Sequence, residues 1–256
     1  MTETHDATHD AIVRSQFGPR ADAYVSSAVH ASGGDLEYIA ERARALRPSH
    51  ALDLGAGGGH VTYRLAPHAG VVTACDLSEE MVAAVMAQAE VKGFANVRGQ
   101  VARAEALPFA DDSFDFLACR FSAHHWQDFE AGLREARRVL APGGHALFID
   151  VIAPEEPRAD VHLQTVELLR DTSHVRDYRQ SEWIAALGRA GFQVASSRCW
   201  RLRMDFASWV ERMRTPADHV AAIRSLQRQA PEGIIRHFGI EEDGSFSIDV
   251  AMVEAA

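Results

Sequence analysis

Two histidines, His124 and His125, stand side by side before Trp126, directly after an apolar run that reads as a buried strand. Imidazole titrates near neutrality, so such a pair can take a proton, ligate a metal or orient a substrate. Adjacent side chains point in different directions on a strand or a helix, so the doublet fits a single metal ion poorly and no metal is expected. Both histidines are candidates for catalysis, and Trp126 is a candidate for substrate contact. A second polar group, RDTSHVRDY at 170–178, sets Asp171 three residues before His174, with Arg170 and Arg176 beside them. On a helical turn that acid can orient that imidazole, which makes Asp171, His174 and Arg176 candidates for the substrate side. The third feature is ALDLGAGGGH at 51–60, where Gly55, Gly57 and Gly59 alternate, with Asp76 placed 21 residues after Gly55. Glycines allow a tight turn and a close ligand approach, and the following helix offers free N–H groups. A carboxylate at Asp76 then suits the hydroxyls of a ribose.

Elements able to position these residues recur along the chain. Short apolar strands are expected at 50–54, 70–76, 96–102, 114–120 and 145–151, alternating with helices at about 58–68, 78–92 and 127–140. That alternation implies a mostly parallel sheet with helices on both faces. Ser78 reads as an N-cap with Glu79 and Glu80 in the first turn, and APGG at 141–144 reads as a stop. Asp35 reads as the N-cap of an earlier helix that ends at Arg47-Pro48, while the first ten residues are polar and expected to fray. The organisation that follows is an N-terminal helical cap (1–46), a cofactor-binding α/β core (47–153), a lid insert (154–179), more core (180–200), a helical insert (201–244) and a final antiparallel strand (245–256).

Composition narrows the function. With 26 Lys+Arg against 36 Asp+Glu the formal charge is −10, and no basic run follows a phosphate backbone, so a nucleic-acid partner is not expected. No segment has the build of a signal peptide or the roughly 20 apolar residues of a membrane span, so no membrane partner and a cytoplasmic location are expected. Cys75, Cys119 and Cys199 lack a CxxC spacing and read as buried thiols.

His60 takes the place of the third glycine of a dinucleotide loop, and Asp53 precedes the first glycine by two residues. This D-x-G-x-G-x-G form, Asp76, AEALPFADDSFD at 104–115 and RRVLAPGGHALFID at 137–150 resemble, in order, the motifs of class I S-adenosylmethionine-dependent methyltransferases. FGPRADAYVSSAVHASGGDL, RFSAHHW, LLRDTSHVRDY with SEW, and WVERMRTPADH resemble a bacterial subfamily of small-molecule enzymes related to ubiquinone and menaquinone biosynthesis. The resemblance implies a Rossmann-like fold, a seven-stranded sheet with the last strand antiparallel, and S-adenosylmethionine as cofactor. It assigns Tyr24, Asp53, Gly55, Gly57, Gly59, Asp76, Leu77, Met81, Ala104, Glu105 and Arg120 to the cofactor, with Leu107 near the adenine ring. It assigns Phe17, His30 and Trp126 to the acceptor beside Asp171, His174 and Arg176. Many relatives read D-A-E where Arg103 precedes Ala104 and Glu105 here, so the usual adenine contact is missing and Arg103 is expected to face solvent.

The expected activity is in-line transfer of a methyl group to N, O or C of a small-molecule acceptor, and a homodimer is compatible with the sequence. The alternatives are a non-catalytic cofactor-binding protein, a nucleic-acid methyltransferase, and a nicotinamide oxidoreductase that the missing glycine disfavours.

Overall fold

A computed structural model describes residues 3–18 and 33–256. Its strands are β1 (His50–Leu54), β2 (Val71–Asp76), β3 (Val97–Val101), β4 (Phe114–Arg120), β5 (Leu140–Ala153), β6 (Tyr178–Arg179), β7 (Val194–Met204) and β8 (Phe246–Ala255). They form one sheet in the order β3-β2-β1-β4-β5-β8-β7, with β6 added beside β5. The first five strands pair in parallel, and β8 runs antiparallel between β5 and β7. The sheet therefore has the expected seven strands and the short β6 as an eighth. In β6, Tyr178 lies opposite Ile152, which carries the preceding residues up to the end of β5.

The helices are α1 (Glu3–Phe17), α2 (Gly34–Leu46), α3 (His60–Leu65), α4 (Glu79–Val91), α5 (Phe129–Val139), α6 (Pro157–Arg170), α7 (Gln180–Ala190), α8 (Phe206–Met213), α9 (Ala217–Arg228) and α10 (Glu232–Phe238). Parallel strands are covered on both faces, which is why β1 and β4 read as nearly continuous apolar runs. Alternate side chains enter opposite cores: Leu52 and Leu117 pack with Leu133 on one face, and Ala51 and Phe116 pack with Ile39 and Leu65 on the other. A third cluster, with Leu163, Trp209, Ile223 and Phe238, joins α6, α8, α9 and α10 over β5 and β8.

Local chemistry sets several boundaries. The Ser78 hydroxyl accepts from the Met81 amide at 3.2 Å, so α4 starts where its cap was expected. Three sequence expectations are corrected. α1 begins at Glu3 rather than after a frayed decapeptide, because no Gly or Pro interrupts the chain before Gly18. Gly33, not Asp35, is the N-cap of α2, which leaves Asp35 in the first turn with its carboxylate on Arg120. Cys199 is exposed, because β7 is the sheet's edge strand and turns that residue outward, while Cys75 and Cys119 are buried. No helix among the described residues is long and apolar enough to cross a membrane.

Candidate active site

β1 lies between β2 and β4, so the crossovers leaving its two neighbours diverge and open a crevice at their carboxyl ends. A cavity of about 300 Å³ fills that crevice. At one end the Gly55 and Ala56 amides donate to the Cys75 carbonyl at 2.8 and 2.9 Å, folding the glycine loop over β2. Gly57 has φ 49°, and a side chain added there would meet no described atom within 4 Å, so this backbone faces open cavity. The Asp76 carboxylate accepts from the Gly57 amide at 2.8 Å and from the Ser78 amide at 2.9 Å, one bond to each oxygen. Each oxygen keeps a lone pair for a ligand hydroxyl. Burial raises the Asp76 carboxyl, against the pull of those amides.

Asp53 accepts from the Thr62 amide at 2.8 Å and the Thr62 hydroxyl at 2.6 Å, which ties β1 to α3. Burial lifts its carboxyl to about 7. Leu77, Met81, Ala104 and Glu105 line the same end, whereas Leu107 packs in the core and Gly59 lies off the cavity wall. Gly59 turns the loop into α3 at φ 77°, with Tyr63 and Val85 against it. Arg103 is engaged rather than solvent-facing: it contacts Asp10 of α1 at 3.1 Å and Glu105 at 3.7 Å. Arg120 lines the cavity and its guanidinium holds Asp35.

The other end is built around the histidine doublet, which forms a short 3-10 turn after β4. His124 Nδ1 donates to Asp150 Oδ1 at 2.6 Å, and the His124 amide donates to Asp150 Oδ2 at 3.3 Å. Burial alone would lower His124, but the charge and hydrogen bond of Asp150 outweigh it and raise it to about 9. His125 behaves oppositely. Burial and the neighbouring His124 push it down to about 4, while its Nδ1 donates to the Ser173 carbonyl at 3.0 Å. His174 is lowered to about 2 by burial and by both histidines, and its Nε2 donates to Gln164 Oε1 at 3.0 Å.

Asp171 does not orient His174 with its side chain. Its carboxylate takes the Ser173 amide and hydroxyl and Gln16 of α1, and lies 4.0 Å from His125. The segment after α6 turns rather than continuing as a helix, so a three-residue spacing no longer brings the two side chains together. Arg176 also points elsewhere, to Asp160 at 3.1 Å and Glu182 at 3.6 Å, and does not line the cavity. Phe17, Trp126, Asp171, His174 and both doublet histidines do line it. Phe17 meets His125 edge-on at 5.0 Å, and His9 Nε2 donates to the His125 carbonyl at 3.0 Å, so α1 covers this end. Tyr24 and His30 lie outside the described residues.

Three carboxylates here escaped the sequence reading. Asp150 sits behind His124 near the end of β5, Glu167 lines the cavity from α6, and Asp177 lines it from the residue before β6. Asp177 is 2% exposed, and its Oδ2 finds no hydrogen-bond partner among the described residues. The signal available for Asp150 was an isolated acid within the apolar run HALFIDV; Glu167 and Asp177 carry none. Donor atoms of His124, Asp150 and Asp177 lie within 4.8 Å of one another, a spacing a cation can bridge.

Comparisons with known proteins identify the family and the fold. The sequence profile of a family described as "Methyltransferase domain" matches residues 52–148. The "uncharacterized protein YafE" of Escherichia coli K12 is 43% identical over 197 residues, 77% of this chain and 95% of its own. The "uncharacterized methyltransferase YcgJ" of Bacillus subtilis is 38% identical over 202 residues, 79% of this chain and 80% of its own. The crystal structure of YcgJ superimposes with a TM-score of 0.81 at 34% identity, covering 87% of this chain and 97% of that one.

Proposed function

The chain belongs to the class I S-adenosylmethionine-dependent methyltransferases, and from that premise we propose that it methylates N, O or C of a small-molecule acceptor by in-line transfer. One observation carries the reading: a glycine loop open at Gly57 beside Asp76 and the His124–Asp150 pair share one cavity. The donor set fits the cofactor. Asp76 retains two lone pairs for the ribose hydroxyls, Leu77, Met81 and Ala104 supply an apolar slot for adenine, and Arg120, held in an ion pair with Asp35, lines the cavity where its guanidinium can also reach the methionine carboxylate. When bound, S-adenosylmethionine supplies a methyl carbon on a positively charged sulfur that is already a good leaving group.

The chain's own task is then positioning and proton removal. The buried floor of β4 and the cover of α1 exclude water. His124 is the residue we assign as proton acceptor. Its Nδ1–H is held by Asp150, which fixes the tautomer, stabilises the imidazolium and leaves Nε2 to take a proton from the acceptor. His125 is held neutral and its Nδ1 is occupied, so it shapes the pocket. The small size of the cavity, about 300 Å³, and the charge of −10 favour a metabolite over a nucleic acid as acceptor.

Incubation with methyl-labelled S-adenosylmethionine and a cell extract is expected to place label in a small molecule. Label found only in RNA or protein would remove this reading.

A further inference from the structure

We propose that the acceptor is an amine on an apolar body, held as its ammonium ion by the carboxylate of Asp177 beside the His124–Asp150 pair. The inference rests on the methyltransferase reading of the same cavity and names its substrate class. Three observations carry it.

Asp177 lines the cavity, and its buried Oδ2 lacks a hydrogen-bond partner among the described residues; His174 Nε2, already donating to Gln164, is 3.9 Å away. A carboxylate left so is costly to the fold without a cation. Burial and the neighbouring Glu167 accordingly raise it well above its ordinary value.

The charge count points the same way. Among the described residues that line the cavity are eight carboxylates and four arginines, and Arg103, Arg120 and Arg170 are already paired with Asp10, Asp35 and Glu167. With His124 neutral, as the transfer needs, Asp150 and Asp177 ionised sum to two negative charges, and an ammonium offsets one of them.

The wall beside this cluster is the third observation. Trp200, Leu202, Met204, Trp209, Met213 and Ile248 line the cavity from β7, α8 and β8. A bare metal ion has no use for such a wall. It would also have to displace the proton between His124 Nδ1 and Asp150, at 2.6 Å, whereas an ammonium needs only the Asp177 carboxylate at the cavity wall. An organic cation gains from the carboxylate and from the aromatic faces together.

In the step itself, neutral His124 takes one N–H proton from the ammonium at Nε2. The freed nitrogen pair bonds the methyl carbon while the carbon–sulfur pair stays on sulfur, and the methylated ammonium leaves. The imidazolium then returns its proton to water.

The test is calorimetry on the full chain saturated with S-adenosylhomocysteine, using 2-phenylethylamine, tryptamine and dodecylamine against their matched alcohols. At least one amine is expected to bind about tenfold or more tightly than its alcohol. Asp177→Asn should abolish that preference while leaving S-adenosylhomocysteine affinity and the fold unchanged. Glu167→Gln, which removes a neighbouring charge and spares the Asp177 carboxylate, should reduce the preference about threefold. Equal binding of amines and alcohols across the panel, or a preference kept in both variants, overturns the proposal. So does stoichiometric Mn²⁺ binding that Asp177→Asn removes, which would make this a metal site. Failure of S-adenosylhomocysteine to bind would instead sink the cofactor reading, and is read separately.

Discussion

The two ends of the cavity are built by opposite rules. At the glycine-loop end, Asp76 and Asp53 are satisfied by backbone amides and a hydroxyl from residues close in sequence, Gly57, Ser78 and Thr62. At the histidine end, side chains from the turn after β4, from β5 and α6 and from the approach to β6 converge, with three imidazoles in contact range and a buried carboxylate oxygen left without a hydrogen bond among the described residues. The first end is a finished receptor for a ligand of fixed shape. The second holds buried charges that the described residues leave partly unpaired, and the proposed acceptor would relieve them. Recognition of the cofactor and choice of acceptor can therefore be damaged separately.

The largest effect is expected at the first end. Asp76→Ala removes two charged hydrogen bonds that shape the loop and two acceptors for the ribose, and should weaken S-adenosylmethionine binding about 100-fold or more by calorimetry. Gly57→Val should do the same, since it fills the open cradle and places a β-branched residue at φ 49°. His124→Gln should lower kcat by about 10²- to 10³-fold with cofactor affinity unchanged, against less than about tenfold for His125→Ala. For wild type, kcat/KM should rise with pH towards the His124 value of about 9, and a flat profile would remove His124 as base.

Stability separates the ends more gently. His124 is raised from 6.5 to about 9, so its ionic bond to Asp150 contributes fully below pH 6.5 and is lost as pH climbs through 9. The contribution is ~3 kcal/mol, and Asp150→Asn should abolish this alkaline loss in thermal melts. His125 and His174 are depressed to about 4 and about 2, so they cost stability as pH falls below 6.5. The smallest change is expected from Asp177→Asn, which replaces a buried carboxyl lacking a hydrogen-bond partner on Oδ2 by a neutral amide and should leave the thermal melt no lower than that of wild type.

The same contrast explains what could be read from the sequence. The glycine loop, Asp76 and Ser78 are consecutive features of one βαβ unit, and parallel pairing of β1 with β2 brings them together whatever else the chain does. The doublet was legible as a strand-end feature for the same reason. Its partner was not: Asp150 meets His124 only because β5 pairs with β4, setting Ile149 opposite Arg120. Asp177 depends on β6, two residues whose pairing no periodicity announces. Helical spacing matches Asp171 with His174, but the turn after α6 breaks that spacing, giving Asp171 to Ser173 and His174 to Gln164.

The division between the ends is the central claim, and single-turnover transfer from saturating labelled S-adenosylmethionine to the endogenous acceptor tests it most directly. His124→Gln should bind the cofactor with wild-type affinity and transfer its methyl group at least about 100-fold more slowly. Transfer at the wild-type rate by His124→Gln, or loss of cofactor binding together with transfer, would contradict it.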